Sequence, residues 1–173
     1  MDLSMEVSYT SHIKKGIIIA VLMMLLNVIG QITELIYIPW YGFLILSVFI
    51  IAAFGSTWLF NHQTKGFEVF SVILSHGFKT VAVAIALFFV YHFIAMHYLF
   101  PNYVTHQIGL LQEEAKQHSE AVTHLPADLN RAKQIWMNTQ LAGTLILFLL
   151  AGGAGALLAA VAVPKKYQQT TTE

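Results

Sequence analysis

Apolar residues in this chain do not alternate with polar ones. They run almost unbroken in four blocks, roughly 16–32, 39–60, 81–100 and 141–163, with shorter polar segments between them. A helix needs roughly 20 apolar residues to cross the hydrocarbon of a bilayer. A chain with blocks this long and this few can satisfy its backbone polar groups in lipid only as helices. The pattern therefore predicts an all-α integral membrane protein, a four-helix bundle forming a single membrane domain over residues 1–173.

The polar segments refine this picture. Only Thr33 to Ile38 separate the first two spans, which makes them a tight hairpin, and Pro39 suits the first turn of the second helix, where a missing N–H costs nothing. Before the third span, Phe70-Ser71-Val72-Ile73-Leu74 reads as an amphipathic turn along the inner interface, with His76-Gly77 as the bend into the membrane. The third helix should break at Pro101 and resume outside, because Val104, Ile108, Leu111 and Ala115 recur at helical spacing. A second outer helix is expected from Pro126, with Leu129, Ala132 and Trp136 as its apolar stripe, running directly into the fourth span. Together they predict an extramembrane helical hairpin between the third and fourth spans, about 101–140, with its turn near Ser119 to Leu125. The lead-in from Met1 to Ser11 is read as interfacial or disordered, and the Thr170-Thr171-Thr172 tail as disordered.

Charge orients the bundle. The 173 residues are 57% hydrophobic and only 10% charged, against roughly 25% in soluble domains. Lys14 and Lys15 precede the first span, Lys65 and Lys79 lie between the second and third, and Lys165 and Lys166 follow the fourth, whereas the first loop carries Glu34 and no Lys or Arg. Lys and Arg concentrate in cytoplasmic loops close to span ends, so both termini and the second loop are expected inside. Lys116, Arg131 and Lys133 then fall outside, in the longer third loop, where the rule has less force. Interfacial tryptophan gives the same orientation, with Trp58 at the inner boundary and Trp40 and Trp136 at the outer one. The first span lacks a small-x-small cleavage pattern around Asn27 to Gln31 and is expected to be retained.

Candidate chemistry is sparse. There is no cysteine, which excludes disulfides and thiolate metal sites. Small residues recur at four-residue spacing: Gly152, Ala156 and Ala160 on one stripe of span four, Gly155 and Ala159 on another, Ala82 and Ala86 on span three, and Ala52 and Ser56 on span two. Such spacing lets helix backbones approach closely, either within one bundle or across a dimer interface. Buried polar residues are the other candidates: Asn27 deep in span one and His92 inside span three, with Glu34 and His97 nearer the outer surface. They either hydrogen-bond across helices and fix register, or line a path for protons or cations. Eight histidines and six methionines raise the question of a metal or haem. However, His92 and Met96 share a face that His97 leaves, His106, His118 and His124 are scattered, and no other span offers a haem-ligating histidine at matching depth. No metal and no cofactor is expected. Glu113-Glu114 reads as a solvated helix face, no catalytic residue is assigned, and nothing points to nucleic acid.

The segment His76-Gly77-Phe78-Lys79-Thr80 enters a long aromatic span that ends in Leu99-Phe100-Pro101. It is followed by a charged outer helix with Gln112-Glu113-Glu114 and a Gly/Ala-rich last span ending in Pro164-Lys165-Lys166. In order and length this resembles the bacterial membrane family called domain of unknown function 4199. The resemblance covers nearly the whole chain and is most specific from Gly66 to Pro101. It implies a four-span protein of the bacterial inner membrane with no established functional residues to carry over, and an accessory role beside a membrane glycosyltransferase. The expected function is non-catalytic: an accessory or scaffold subunit, or a homo-oligomer, that acts through helix packing in the bilayer. The alternative is a small transporter or channel using Asn27, His92 and Glu34.

Overall fold

A computed structural model describes residues 11–117 and 129–162. Among them every regular element is helical: α1 (His12–Ile32), α2 (Pro39–Gln63), α3 (Phe70–Ile94), α4 (Pro101–Gln117) and α5 (Leu129–Ala162), with a 3₁₀ turn at Leu35–Tyr37 and a π-helical turn at Ala95–Leu99. Four stretches are long and apolar enough to cross a membrane: His12–Ile32, Pro39–Gln63, Phe70–Leu99 and Asn130–Ala162. Their outer faces carry large apolar side chains such as Phe43 (71% exposed), Ile51 (68%) and Leu150 (69%). Apolar exposure on this scale is costly in water and suits a hydrocarbon surround.

Local chemistry explains where the helices start and stop. The Ser11 hydroxyl caps α1 by accepting from the Ile13 N–H at 3.2 Å. At the other end the Thr33 N–H and hydroxyl both donate to Ile29 O, at 2.9 and 2.7 Å. Glu34 then takes a left-handed conformation (φ 61°) and turns the chain through Leu35–Tyr37 into Pro39, the first residue of α2. The hairpin is closed by Tyr41, whose hydroxyl donates to Leu26 O at 2.6 Å. Its ring occupies the space a Cβ on Gly30 would need. α2 ends in a Schellman motif: Gly66 N–H donates to Asn61 O (3.0 Å) and Lys65 N–H to His62 O (3.1 Å), with Lys65 at φ 56° where glycine is usual.

The chain packs as two compact units, one formed by the chain up to Phe88 and from Phe148 onward, the other by Phe89–Leu147. In the first, α1, α2, the first part of α3 and the last part of α5 form a four-helix bundle, closed where small residues let backbones meet. A Cβ on Gly155 would lie 2.7 Å from Ile50 O on α2, and one on Gly152 2.5 Å from Val81 Cγ1 on α3. A Cβ on Gly77 would lie 2.5 Å from Thr57 Oγ1 on α2 and 2.8 Å from Ala156 Cβ on α5, while Gly16 sets α1 against Thr80 and Val83 of α3. At the centre Phe148 stacks on Phe88 and meets Phe49 at a tilt, with ring centroids 5.3 and 4.9 Å apart. In the second unit Met96, Val104, Ile108 and Leu141 form the core, flanked by Phe89, Tyr103, Trp136 and Met137. The turn of α4 thus packs on the opening turns of α5.

Two expectations change. No bend occurs at His76-Gly77, because α3 runs unbroken from Phe70 and already buries Ile73 completely. Gly77 marks a close helix contact rather than a hinge. On α4, Val104 and Ile108 are buried as the spacing implies, but Leu111 is exposed. The break before Pro101 is a π turn, closed by Phe100 N–H donating to Ala95 O at 2.8 Å, and α5 continues from Leu129 into the last span without interruption. The lead-in over Met1–Thr10, the hairpin turn, the start at Pro126 and the threonine tail lie outside the described residues.

The Gly155 contact is with backbone, which cannot rotate away. Gly155→Ala should therefore lower the unfolding free energy in mixed micelles by about 1–3 kcal/mol. Gly55→Ala, which meets nothing within 4 Å, should change it by no more than about 0.5 kcal/mol. Equal effects of the two would contradict the packing described.

Candidate functional site

Polar side chains of the first unit gather at its lysine-rich end, where α1 and α3 begin and α2 finishes. Lys15 is only 5% exposed. Its ammonium donates to Ser56 O and to Gln63 Oε1, both at 3.3 Å, and stands 5.6 Å from the centre of the Phe60 ring. A charge this deep needs hydrogen-bond acceptors and a π face in place of water. Lys15 therefore ties the first turn of α1 to the last turns of α2, while Lys14 beside it is exposed.

Phe60 is also the floor of a pocket. With Ile73 and Ala160 it forms a small core supported by Phe70 and Leu74. His76 stacks on its ring at 3.9 Å between centroids and 8° between planes, and His12 meets His76 edge-on at 6.0 Å and 88°. The pocket, about 310 Å³, is lined by His12, Phe60, Ser71, Val72, Ser75, His76 and Lys79. Ser71, Ser75 and Lys79 follow one another at four-residue spacing and are exposed, so one face of α3 presents two hydroxyls and an ammonium opposite the imidazole of α1. That spacing is visible in the sequence for a helix continuous from Phe70. The pairing with His12 is not, because it depends on how α1 crosses α3.

The small residues divide into two sets. Gly152, Gly155, Ala156, Ala159 and Ala160 are buried in the bundle, Ser56 is buried beside Lys15 with its hydroxyl donating to Ala53 O at 2.9 Å, and Ala52 is half-buried next to the wholly buried Ala53. Ala82 and Ala86 instead face outward, and Ala84 takes the inward position on α3. The polar candidates fall in different units. Asn27 is buried within α1, Glu34 is exposed on the connecting turn, and His92 and His97 belong to the other unit. His97 Nδ1–H donates to Phe93 O at 2.8 Å while its ring stacks on Phe93 at 4.2 Å. Among the described residues no three His, Cys, Asp or Glu side chains cluster as metal ligands would.

The architecture defines a multi-pass, all-α membrane protein. Comparison of the chain with protein-family models, with curated proteins and with solved structures yields no match.

Replacing Lys15 by Met keeps the apolar stem and removes the donors. Lys15→Met should cost about 1–3 kcal/mol of stability in detergent, and Lys14→Met no more than about 0.5 kcal/mol. Thermal unfolding of the two variants side by side tests the assignment, which fails if they are indistinguishable.

Proposed function

We propose that this protein is a non-catalytic subunit of the bacterial inner membrane that associates through helix packing, either with a second copy of itself or as an accessory to another membrane protein. One observation carries the reading: Ala82 and Ala86, one turn apart on α3, face outward from a bundle whose small stripes on α5 are consumed inside it. Association in lipid draws on close van der Waals contact, because lipid tails are as apolar as the helices themselves, and small residues at four-residue spacing allow that contact. The resemblance to domain of unknown function 4199 supports the same reading and adds a membrane glycosyltransferase as one accessory partner to seek. The lysine distribution and the interfacial tryptophans support termini on the cytoplasmic side.

The test uses the absence of cysteine. Ala82→Cys and Ala86→Cys should cross-link in native membranes, to a second copy or to a partner identified by mass spectrometry, whereas Ala84→Cys, fully buried, should not. Ala82→Leu with Ala86→Leu should abolish the association while leaving thermal stability unchanged. A protein that stays alone in all these assays, and whose ion flux in proteoliposomes disappears in His92→Ala, would replace this reading with transport. Orientation is checked separately: Glu113→Cys, exposed on α4, should react with an impermeant thiol reagent in intact cells, and Ser71→Cys should not.

A further inference from the structure

We infer that the pocket between the beginnings of α1 and α3 is a binding site for a phosphate-bearing anion. Its polar lining consists of Ser71, Ser75, His12, His76 and Lys79: the two hydroxyls, the His12 imidazole and the Lys79 ammonium can donate hydrogen bonds into it, Lys79 with a fixed positive charge, whereas both ring nitrogens of His76 are buried and its ring serves as wall. Among the described residues no carboxylate lines it. The acidic residues whose side chains are described, Glu34, Glu68 and Glu113, are not among its lining residues. A tetrahedral oxyanion with several acceptor oxygens matches donors converging from two helices better than a neutral ligand does, because each donor then makes a charge-assisted bond.

The walls suit a group that must be held rather than merely attracted. Phe60 is 8% exposed and fixed in the core beneath, and His76 is held flat on it. The imidazole plane of His76 is thus set by packing, and His12 is set against it edge-on. A volume of about 310 Å³ is at the lower end of small-ligand sites and ample for a phosphate with a short attached group. The open side is formed by the exposed Ser71, Ser75 and Lys79. Lys15 does not line the pocket, being engaged by Ser56 and Gln63. The phosphate can come from an anionic lipid headgroup or from a free phosphorylated solute.

The experiment takes the full chain in a neutral detergent and titrates it with phosphatidylglycerol, phosphatidylcholine and inorganic phosphate, reading bound ligand by native mass spectrometry and stability by thermal midpoint. Phosphatidylglycerol should be retained and raise the midpoint. Lys79→Gln should weaken that binding about fivefold, as expected for one basic side chain at a membrane surface, and Lys14→Gln, outside the pocket, should not. Ser75→Leu, at an exposed position on the pocket wall, should abolish binding without disturbing the core, so the result does not depend on His76 variants that would lose the Phe60 stack. A shift dependent on Lys79 with inorganic phosphate alone assigns the site to free anions. Equal retention of phosphatidylcholine, equal weakening by Lys14→Gln and Lys79→Gln, or binding unaffected by Ser75→Leu would overturn the inference.

Discussion

Everything in this molecule rests on the inability of hydrocarbon to hydrogen-bond a peptide group. Each crossing segment must satisfy its own backbone, so it is a helix throughout, and the ends are where chemistry is needed. The Schellman turn after α2 and the π turn after α3 are two such endings, and each supplies N–H donors to carbonyls, Asn61 O and His62 O in the first and Ala95 O in the second, that a helix end leaves without an intrahelical partner. Polar side chains inside the helices obey the same constraint. The Thr57 hydroxyl donates to Ala53 O at 3.0 Å and the Thr80 hydroxyl to His76 O at 2.9 Å, each within its own helix. These threonines are fully buried yet contribute no unsatisfied group.

The same solvent removes the usual reason for helices to associate, so proximity has to be built from shape. Gly16, Gly77, Gly152 and Gly155 are the points where backbones come closest, and each faces a side chain or carbonyl that a methyl group would strike. α3 is the helix most involved. It meets α1 at Thr80 and Val83, α2 at Gly77, and α5 at Gly77 and Val81, while carrying Ala82 and Ala86 on its outer side. Packing inside the bundle and the proposed association outside it thus use opposite faces of one helix.

Charge is confined where hydration is within reach. Lys15 is accommodated near the first turn of α1 by a carbonyl, an amide oxygen and an aromatic face, and the donors of the pocket lie at the start of α1 and along the opening part of α3, from Ser71 to Lys79. Ionised groups farther along a span would bear a larger desolvation cost. The proposed anion site follows from this geography, since a lysine-rich end of a bundle attracts phosphate and a fixed ring pair beneath it gives the phosphate a defined seat.

The number of crossings, the helical class, the tight first hairpin with Pro39 at its exit, and the break before Pro101 were all legible from the chain, because they follow from hydrophobic run length and from proline's missing N–H, which are local properties. The small residues of span four were legible as packing elements for the same reason. Which small residues face inward was not: Ala82 and Ala86 look equivalent to Ala156 and Ala160 in sequence, and only the rotation of α3 against its neighbours turned them outward. The uninterrupted start of α3 was missed because Gly77 reads as a bend when its contacts with Thr57 and Ala156 are unknown. Likewise, nothing in the order of residues announces that His12 meets His76 or that Lys15 reaches Ser56 and Gln63, pairs separated by 41 and 48 positions in the latter case. Composition dictates the solvent and the helices; side-chain meetings between distant segments depend on crossing angle and depth, which arise only when the helices close on one another.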